Sequence, residues 1–529
     1  MMRPSFIVET LEPRRLFAGV ILEATGRLGP INTWMQTMAN DITASLGGPS
    51  QVPQFVLSIN VNQENGSLVP TIAQVAGTGT PQTSSSGEII VLLDYYNVST
   101  NVSYPSPVIG AVVANYLMST PVDGILLASL PIDEIGLSRG AGILDQVART
   151  LGQSGIWVDQ ETYLDPEPVA AQGDPPSAIY DNVAFADNYW RNDGSTSQID
   201  DGNPVNGAYN LNASWLDSED AGYTSAHEAP AGYYIGTIDQ TATEDGDGPI
   251  YSEWYGDSPT MPARDQTGFI YTNLVGAPRP LSGLWAASGG TGARTPAGQV
   301  GAQWGNATDL TVTGGDSVIA GNSIQASFIH QDRGGADTIT FYLDSDRNPY
   351  NNNFVANLGS FNLAQASAIT QGGETLSTTG VAPGTYWLCA QVTNAQGDTR
   401  YTYESVAEPL TVQSPTAAAI DGTVVLENNP DTTALGSLAG FEVILTQHIK
   451  HAKTEKFTAV TGAAGNFAFN NLQPDADDTV RIVSRKGYKL APHAHGSYVV
   501  KLNAPQVTSG LIFSEDLIVP PVHKTKPKR

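Results

Sequence analysis

The predicted fold rests on Ile132-Asp133-Glu134-Ile135-Gly136-Leu137-Ser138-Arg139-Gly140-Ala141-Gly142. The apolar residues before the glycines predict a short strand, and from Ile143 to Leu151 apolar residues recur at helical spacing. Between strand and helix stands Gly-x-Ser-x-Gly, a pattern in which a tight turn lifts a serine hydroxyl out of the backbone. Side chains two positions before and after the serine would collide in such a turn, so glycine occupies both. The stretch therefore predicts a nucleophilic Ser138. The alternative is an ordinary loop with chance glycines, since 54 of the 529 residues are glycine.

Length and composition describe a folded chain of several domains. A chain of 529 residues is too long for one core, and its 40% apolar and 15% charged content is typical of a folded chain. The formal net charge of -27 argues against broad binding to nucleic acid or to an anionic membrane. A single cysteine, Cys389, excludes an internal disulfide framework. No apolar run reaches the roughly 18 residues of a membrane-spanning helix, so none is predicted.

The N-terminus, residues 1–19, does not follow the pattern of an ordinary secretory signal, because charged residues and a proline interrupt its apolar core. The segment Leu11-Glu12-Pro13-Arg14-Arg15-Leu16-Phe17 resembles the LEPR-XLL motif found at the start of many large exported bacterial proteins. It departs from that motif at the last position, where phenylalanine replaces leucine. The resemblance implies an extracellular or cell-surface location.

Residues 20–287 are predicted to form an α/β domain with a mostly parallel sheet, because strand-like and helix-like segments alternate as far as Asp165. The stretch 166–280 is loop-rich and aromatic, and a Gly/Ala/Thr-rich linker is predicted at 288–305. The first predicted strand lies within 20–30, where it ends in a glycine-bearing loop. The other predicted strands lie near 54–61, 88–94, 132–137 and 155–164, and the predicted helices near 34–46, 108–117 and 143–151.

Two all-β modules are predicted after the linker. Short alternating strands separated by Asn, Gly and Asp turns indicate an immunoglobulin-like sandwich at 306–414. A second module at 417–516 resembles the transthyretin-like, carboxypeptidase-regulatory repeats of bacterial surface proteins, through Gly422-Thr423-Val424, Val443-Ile444-Leu445 and the segment 465–472. The resemblance implies a spacer or stabilising module. The basic, Pro-rich tail at 517–529 is predicted to be disordered.

The base that would activate Ser138 is predicted by elimination. A serine hydroxyl is a weak nucleophile and needs a base within hydrogen-bond reach. His227 is the only histidine before the linker, so it is the candidate base if Ser138 is catalytic; otherwise it is an ordinary loop histidine. The remaining six histidines belong to the later modules or the tail: His330, His448, His451, His493, His495 and His523.

The third residue of such a site is a buried carboxylate that orients the imidazole. Asp165 is the preferred candidate, because it stands at the carboxyl end of the strand after the Ser138 helix, where Pro166 ends that strand. Asp-Pro is also a common turn pair, so Asp165 has a purely structural alternative. Five other acids remain open: Asp159, Glu161, Asp174, Asp181 and Asp187.

The order Ser138, Asp165, His227 is that of the α/β-hydrolases, and residues 20–280 resemble the lipase/esterase group of that family. Leu164-Asp165-Pro166 is similar to the acid position of the pancreatic-type lipases. The resemblance implies an oxyanion hole made by the backbone N–H of Arg139 and an N–H of the first loop, near Gly26 or Arg27. The chain lacks the His-Gly pair often found in that loop, and its elbow reads Leu-Ser-Arg in place of His-Ser-Leu.

The predicted function is a secreted or surface-displayed serine hydrolase that cleaves a small-molecule, lipid or carbohydrate ester without a metal or organic cofactor. The segment between Asp165 and His227 lacks a long amphipathic lid, and its aromatic residues among Asp and Asn suit a polar ester. These rings either bind substrate or pack the loops. One alternative is a non-catalytic surface adhesion or matrix protein whose hydrolase-like domain only binds, and another is a peptidase on the same fold. The β modules are expected to contact a cell-surface or matrix component. The substrate-binding candidates are Tyr189, Trp190, Tyr233 and Trp254.

Overall fold

The computed structural model describes residues 19–24, 26, 31–64, 67–84, 87–192, 202–216, 222–223, 225–256, 258, 260–271, 293–301, 303–404, 409–414, 418–427, 436–448, 454–462, 464–473, 477–502 and 507–518. The predicted export motif, Arg27 and most of the predicted basic tail lie outside these residues. The chain divides into two compact units, the first comprising 1–310, 328–372 and 389–403, the second 311–327, 373–388 and 404–529. The domain boundaries proposed from the sequence stay predictions.

An eight-stranded sheet forms the centre of the first unit. Its strand order is β3-β2-β4-β1-β5-β6-β7-β8. Every neighbouring pair is parallel except the β2–β3 hairpin, which confirms the mostly parallel sheet predicted for this region. The strands are β1 (Val20–Ala24), β2 (Gln54–Glu64), β3 (Ser67–Thr78), β4 (Ile89–Asp94), β5 (Ile132–Leu137), β6 (Val158–Leu164), β7 (Val183–Trp190) and β8 (Tyr209–Asn212).

Helices cover the sheet. The first-helix residues Trp34 and Met38 share an apolar core with Tyr234 of the last helix and with Ile135 of β5. The fourth helix packs against β5 and β6 and against the third helix. A Cβ on Gly110 would lie 2.6 Å from Gln146 Cβ, so this helix pair approaches too closely for any larger residue there. The helices are α1 (Thr33–Ser45), α2 (Tyr96–Ser99), α3 (Ser106–Ser119), α4 (Arg139–Gln153) and α5 (Ala229–Ile238). Among the described residues, none of these helices is long and apolar enough to cross a membrane.

Three elements in segments expected to be loops correct the sequence prediction. These are the strands β7 and β8 and the helix α5, which lie in the stretch 166–280. A further strand that was not predicted, β3, pairs back onto β2. The segment of β7, Val183–Trp190, mixes aromatic and polar residues. All but the last of its residues are buried, and a parallel strand pairs with each of its edges. This sequence lacks the continuous apolar run expected of a buried parallel strand, which is why the strand was not predicted.

The described part of the predicted linker bonds to the α/β region. Thr295 donates its backbone N–H to Ile179 O at 2.8 Å, and Val300 donates to Gln153 O at 2.8 Å. Trp304 is buried, and its N–H donates to Ser154 O at 2.9 Å. The segment therefore runs along the α/β region and continues it.

Strands β9–β17 form the first predicted β module, in sheets of order β10-β17-β15-β12-β13, with β16 beside β15, and β14-β11-β9. Among the described residues of 306–414, every helix or strand is a β-strand, as expected of a β module. The strands are β9 (Asn306–Thr313), β10 (Ser317–Ile319), β11 (Ser323–Asp332), β12 (Asp337–Asp344), β13 (Phe354–Leu363), β14 (Ala366–Ser377), β15 (Gly384–Thr393), β16 (Thr399–Tyr403) and β17 (Leu410–Gln413).

Several strands of this module belong to the first compact unit and bond directly to its α/β part. The Trp157 indole N–H donates to Gln331 Oε1 at 3.0 Å, and Asn348 Nδ2 donates to Ser84 O at 2.6 Å. The buried Arg400 donates from Nη1 to Trp157 O and from Nη2 to Leu130 O, each at 2.9 Å. The residues that make these bonds are buried, so the bonds join the α/β part to these strands without an exposed hinge among the described residues.

The last β region lies in the second unit. Its two sheets, β19-β18-β26-β24 with β22 beside β18, and β21-β20-β23-β25, share one apolar core that includes Ile420, Leu445, Phe469 and Phe513. It is therefore a two-sheet sandwich, as predicted. The strands are β18 (Ala418–Leu426), β19 (Gly436–Ser437), β20 (Glu442–His448), β21 (Glu455–Val460), β22 (Asn466–Leu472), β23 (Asp477–Ile482), β24 (Tyr488–Leu490), β25 (Ser497–Lys501) and β26 (Val507–Leu517).

Candidate active site

Ser138 stands between β5 and α4 in a strained backbone conformation. Its φ is 58° and its ψ is -126°, a region that residues other than glycine rarely occupy. A Cβ on Gly136 would lie 2.5 Å from Ala141 Cα, so the turn requires glycine there. The strand, the tight turn and the helix expected around Ser138 are all present. Such a turn, at the carboxyl edge of a parallel sheet, presents a serine hydroxyl above the strands.

Gly26, at the end of the first strand, passes close beside Ser138. A Cβ built on Gly26 would lie 3.2 Å from Ser138 Cβ and 3.5 Å from its Oγ. The first loop therefore approaches the serine, as the oxyanion-hole prediction requires. Arg27, the other predicted loop donor, lies outside the described residues. Arg139 is the first residue of α4, and the N–H groups of a first helical turn have no partner within the helix.

Asp165 is fully buried directly after β6, and it too has a left-handed φ, of 47°. Its Oδ2 lies 2.7 Å from His227 Nδ1 and accepts a hydrogen bond from Arg191 Nη1 at 2.9 Å. Its Oδ1 accepts from the backbone N–H groups of Arg191 at 2.8 Å and Gly202 at 3.1 Å. The carboxylate is thus held at both oxygens.

His227 lies in a short turn that leads into α5, and its side chain is 13% exposed. Its backbone N–H donates to Ser225 Oγ at 3.3 Å. Since Nδ1 faces a carboxylate, Nδ1 carries the proton and the lone pair is on Nε2. That Nε2 is buried and has no hydrogen-bond partner among the described residues. The imidazole therefore has the orientation and the tautomer of a base with its acceptor atom unoccupied.

The structure brings Asp165 to His227 and places Ser138 at the neighbouring strand end. Leu137 and Leu164 are paired in register on β5 and β6, and Ser138 N–H donates to Leu164 O at 2.9 Å. Ser138 and Asp165 therefore follow neighbouring strand ends, and Asp165 is bonded to His227. No hydrogen bond joins Ser138 Oγ to His227 Nε2 in the described part of the chain. Such a contact often tightens only when substrate binds.

The other candidate acids have different partners. Asp159 accepts from Ile132 N–H at 3.0 Å, and Asp181 from Ala297 N–H at 3.0 Å. Asp187 accepts from Thr162 Oγ1 at 2.6 Å and from Tyr189 OH at 2.7 Å. Asp174 is paired with Arg139, and Glu161 lies buried within β6. Of these six acids, the structure brings Asp165 to His227.

The Arg139 side chain is buried and points away from solvent. Its Nε lies 2.6 Å from Asp174 Oδ2, and Nη2 donates to Tyr104 O at 3.2 Å and to Asp174 Oδ1 at 3.0 Å; Nη1 donates to Ser99 O. Asp174 Oδ1 also accepts from Ser106 N–H at 2.6 Å, at the start of α3. The pair fixes the start of α4 against the loop before α3. The sequence had suggested Asp174 only as a rival acid.

Arg191 is a candidate site residue that the sequence analysis did not identify. It follows directly after β7, the strand that the sequence did not predict, and it donates two hydrogen bonds to Asp165. The sequence feature that could have indicated this role is the position of the arginine at the end of the run Asp187-Asn188-Tyr189-Trp190-Arg191. That signal becomes useful only once β7 is known to pair with β6.

The aromatic residues proposed as a substrate-stacking surface require correction. Tyr189, Tyr233 and Trp254 are 2%, 0% and 4% exposed, and they belong to the core that α1 and α5 share. Tyr233 stacks on Tyr255 with centroids 4.9 Å apart, and Tyr189 OH accepts from Gly268 N–H at 2.9 Å. Three of the four predicted rings therefore pack the protein interior and have no open face for a ligand. The fourth, Trp190, is half-buried.

Three carboxyl groups are buried beneath the site. Glu134 of β5 and Glu161 of β6 are register partners, and Asp145 lies on α4. Burial raises the pKa of Glu161 to about 8. Burial and the neighbouring carboxylates raise the pKa of Glu134 and of Asp145 well above their ordinary values. These groups lie within the strands and the helix, away from the strand ends where the candidate triad stands.

Comparison with known proteins gives remote similarities only. No family model and no curated protein matches the chain. A proposed cell surface hydrolase from Lactobacillus plantarum WCFS1 is similar over 43% of this chain and 91% of its own, with 11% identity and a TM-score of 0.25. A Mobiluncus mulieris adhesin covers 41% of this chain and 100% of its own, with 10% identity and a TM-score of 0.16. The major pilin of Streptococcus pyogenes covers 40% and 99%, with 7% identity and a TM-score of 0.14. At such TM-scores the similarities carry no argument about function.

Proposed function

We propose that this protein is a serine hydrolase that cleaves carboxylic esters by acyl transfer. In this proposal Ser138 is the nucleophile, His227 the general base and Asp165 the acid that orients it. The observation that carries the proposal is the 2.7 Å contact between Asp165 Oδ2 and His227 Nδ1, made at the strand end beside the strained Ser138 turn. A nucleophile, a base and a third group that orients the base are the recurring parts of such sites.

The reaction follows from the roles of these groups. Ser138 Oγ attacks the ester carbonyl carbon while His227 Nε2 takes the hydroxyl proton, and Asp165 stabilises the imidazolium that forms. The tetrahedral oxygen accepts hydrogen bonds from the backbone N–H of Arg139 and from the first loop at Gly26. His227 then gives the proton to the leaving alcohol, and the C–O bond breaks. Water repeats the sequence on the acyl-enzyme and releases the acid.

The substrate we propose is a small or polar ester. No long amphipathic segment separates Asp165 from His227 in the sequence, so a lipid-emulsion lid is not expected. Tyr189, Tyr233 and Trp254 are buried, so these rings offer no face on which a sugar could stack. A panel of acetyl to long-chain esters, with acetylated sugars included, tests the substrate class. Preference for long-chain emulsions over soluble short esters would count against a polar substrate, and faster amide than ester turnover would indicate a peptidase.

We also propose that the protein works outside the cell or on its surface. The support is the LEPR-XLL-like segment at 11–17 together with the two β modules after the α/β domain. The modules would serve as spacers or contact a cell-surface or matrix component. A non-catalytic adhesion protein would use the same modules, and the active-site experiment below separates the two.

Labelling with a fluorophosphonate probe tests the catalytic proposal, because the probe reacts only with an activated serine. The full chain should be labelled, and Ser138→Ala should not. Ser154→Ala is a matched control, since Ser154 caps the other end of the same helix, α4. It should be labelled like the unaltered chain. An unlabelled but folded chain, or equal labelling of Ser138→Ala, would exclude this function for the site.

A further inference from the structure

Arg191 and Asp165 form a buried pair with two hydrogen bonds. The side chains of both residues are at most 1% exposed. Arg191 donates its backbone N–H to Oδ1 at 2.8 Å and its Nη1 to Oδ2 at 2.9 Å. Residue 191 thus contacts both oxygens of the carboxylate that faces His227.

This contact restricts the carboxylate in a way that a single hydrogen bond does not. An ionised carboxylate has two oxygens with about four acceptor positions, and it can turn about its terminal torsion when one oxygen alone is held. Donors on Oδ1 from Arg191 and Gly202, and on Oδ2 from Arg191, fix the plane of the group. The remaining acceptor position of Oδ2 is directed at His227 Nδ1.

The main chain of the same strand end supports this geometry. Asp165 has a left-handed φ of 47°, and its N–H donates to Tyr189 O at 2.9 Å. Residues at and just after the end of β7 therefore bond both the backbone and the side chain of Asp165. A non-glycine residue in this conformation persists because its surroundings determine it.

Charge gives a second reason for the pair. A carboxylate without exposure to water requires a compensating positive charge or several donors. Arg191 carries its charge throughout.

We propose that Arg191 is a positioning residue of the reaction, which holds the Asp165 carboxylate aligned so that Asp165 can orient His227. The inference rests on the proposed hydrolase function. Arg191 acts through Asp165 and contacts neither the substrate nor the reacting atoms. Its removal should therefore reduce the rate of the chemical step and leave substrate binding almost unchanged.

Steady-state kinetics of Arg191→Met and Arg191→Lys test the proposal. The methionine variant should lose about 100-fold in kcat, the size expected when a supporting residue is lost and reacting groups shift by about 1 Å. Its KM should stay within about twofold, because uniform binding is unaffected. The lysine variant, which keeps the charge and one donor group, should have an intermediate kcat. A folded methionine variant with the kcat of the unaltered chain would overturn the proposal.

Arg400→Met is the matched control for loss of a buried arginine. Arg400 pairs at 3.7 Å with Asp159, at the start of the strand that Asp165 follows, about 20 Å away along β6. This control should lower the melting temperature and leave kcat unchanged. An equal loss of kcat in Arg400→Met and Arg191→Met would show that general destabilisation explains both, and the positioning role would be rejected.

A double-mutant cycle identifies the residue through which Arg191 acts. In an Asp165→Asn background, Arg191→Met should cause no further loss of kcat, because the carboxylate it positions is absent. Additive losses would overturn the proposal. If Arg191→Met does not fold, the cycle is run with Arg191→Gln, which retains a donor, and the same two outcomes decide. Failure of the hydrolase function is recognised separately, since the unaltered chain would then not react with the fluorophosphonate probe.

Discussion

Asp165 Oδ2 and His227 Nδ1 lie 2.7 Å apart although 62 positions separate the two residues in the chain. Asp165 follows β6, and His227 lies in the turn that leads into α5. The contact therefore joins two distant segments of the chain. The same carboxylate also accepts hydrogen bonds from Arg191 and Gly202. Asp165 is therefore the residue at which the elements of the candidate site meet.

Asp165→Asn should reduce ester turnover by about 10⁴-fold, the loss known for the corresponding change in a serine protease triad, because an amide no longer selects the tautomer with its lone pair on Nε2. The measurement is kcat at saturating ester, with fluorophosphonate labelling rate as a second readout. Asp159→Asn is the control, because Asp159 lies at the opposite end of β6 and bonds to Ile132 N–H. Equal activity of Asp165→Asn and the unaltered chain would exclude Asp165 as the orienting acid.

Gly26→Val should reduce kcat/KM by about 100-fold or more, comparable with the loss of one oxyanion donor. A side chain at this position begins 3.2 Å from Ser138 Cβ and 3.5 Å from its Oγ, so it crowds the space where the ester oxygen must lie. Gly142→Ala is the control. A Cβ at Gly142 meets its nearest neighbour, Pro168, at 3.9 Å, an ordinary contact within α4. Unchanged kinetics in Gly26→Val would remove the first loop from the site.

Asp174→Ala should lower the free energy of unfolding by about 3–5 kcal/mol, because it leaves the buried Arg139 guanidinium without its carboxylate. Urea unfolding of the full chain measures the change, followed by a signal of whichever unit carries the substitution. Lys489→Ala is the control, since Lys489 is largely exposed and its 3.8 Å pair with Asp516 should contribute less than about 1 kcal/mol. Equal changes for the two substitutions would show that the Arg139–Asp174 pair adds little to stability.

Stability should fall as the pH rises from about 4.5 to about 8, and Glu161→Gln should reduce that fall. Burial raises the pKa of Glu161 to about 8, from an ordinary value of 4.5, so the folded chain retains a proton that the unfolded chain has released. The free energy of unfolding therefore decreases with rising pH between these two values and is constant with respect to this group above the folded pKa. Glu134 and Asp145, whose pKa values are also raised, change stability in the same direction.

Urea unfolding at about pH 5, 7 and 9 checks this linkage. The glutamine variant should show a shallower loss between the first and last of these pH values than the unaltered chain. Identical pH dependence in the two proteins would mean that Glu161 does not titrate in this range.

The sequence by itself determined the features that depend on neighbouring residues. The Gly136-x-Ser138 turn, its strand and its helix follow from glycine positions and apolar spacing, and the structure contains all three. The parallel sheet and the two later β regions follow in the same way from hydrophobic periodicity. His227 was identified by elimination, because it is the one histidine that the sequence places before the linker.

Only the tertiary structure decided which distant groups meet. Six acids were available for His227, and the register of β5, β6 and β7 together with the path into α5 brought Asp165 to it. Arg191 became a site residue because β7, which mixes aromatic and polar residues, pairs with β6. Tyr233 and Trp254 became core residues because they belong to one buried apolar cluster with residues of α1. Burial and pairing depend on surfaces contributed by remote segments, which local spacing in the sequence does not specify.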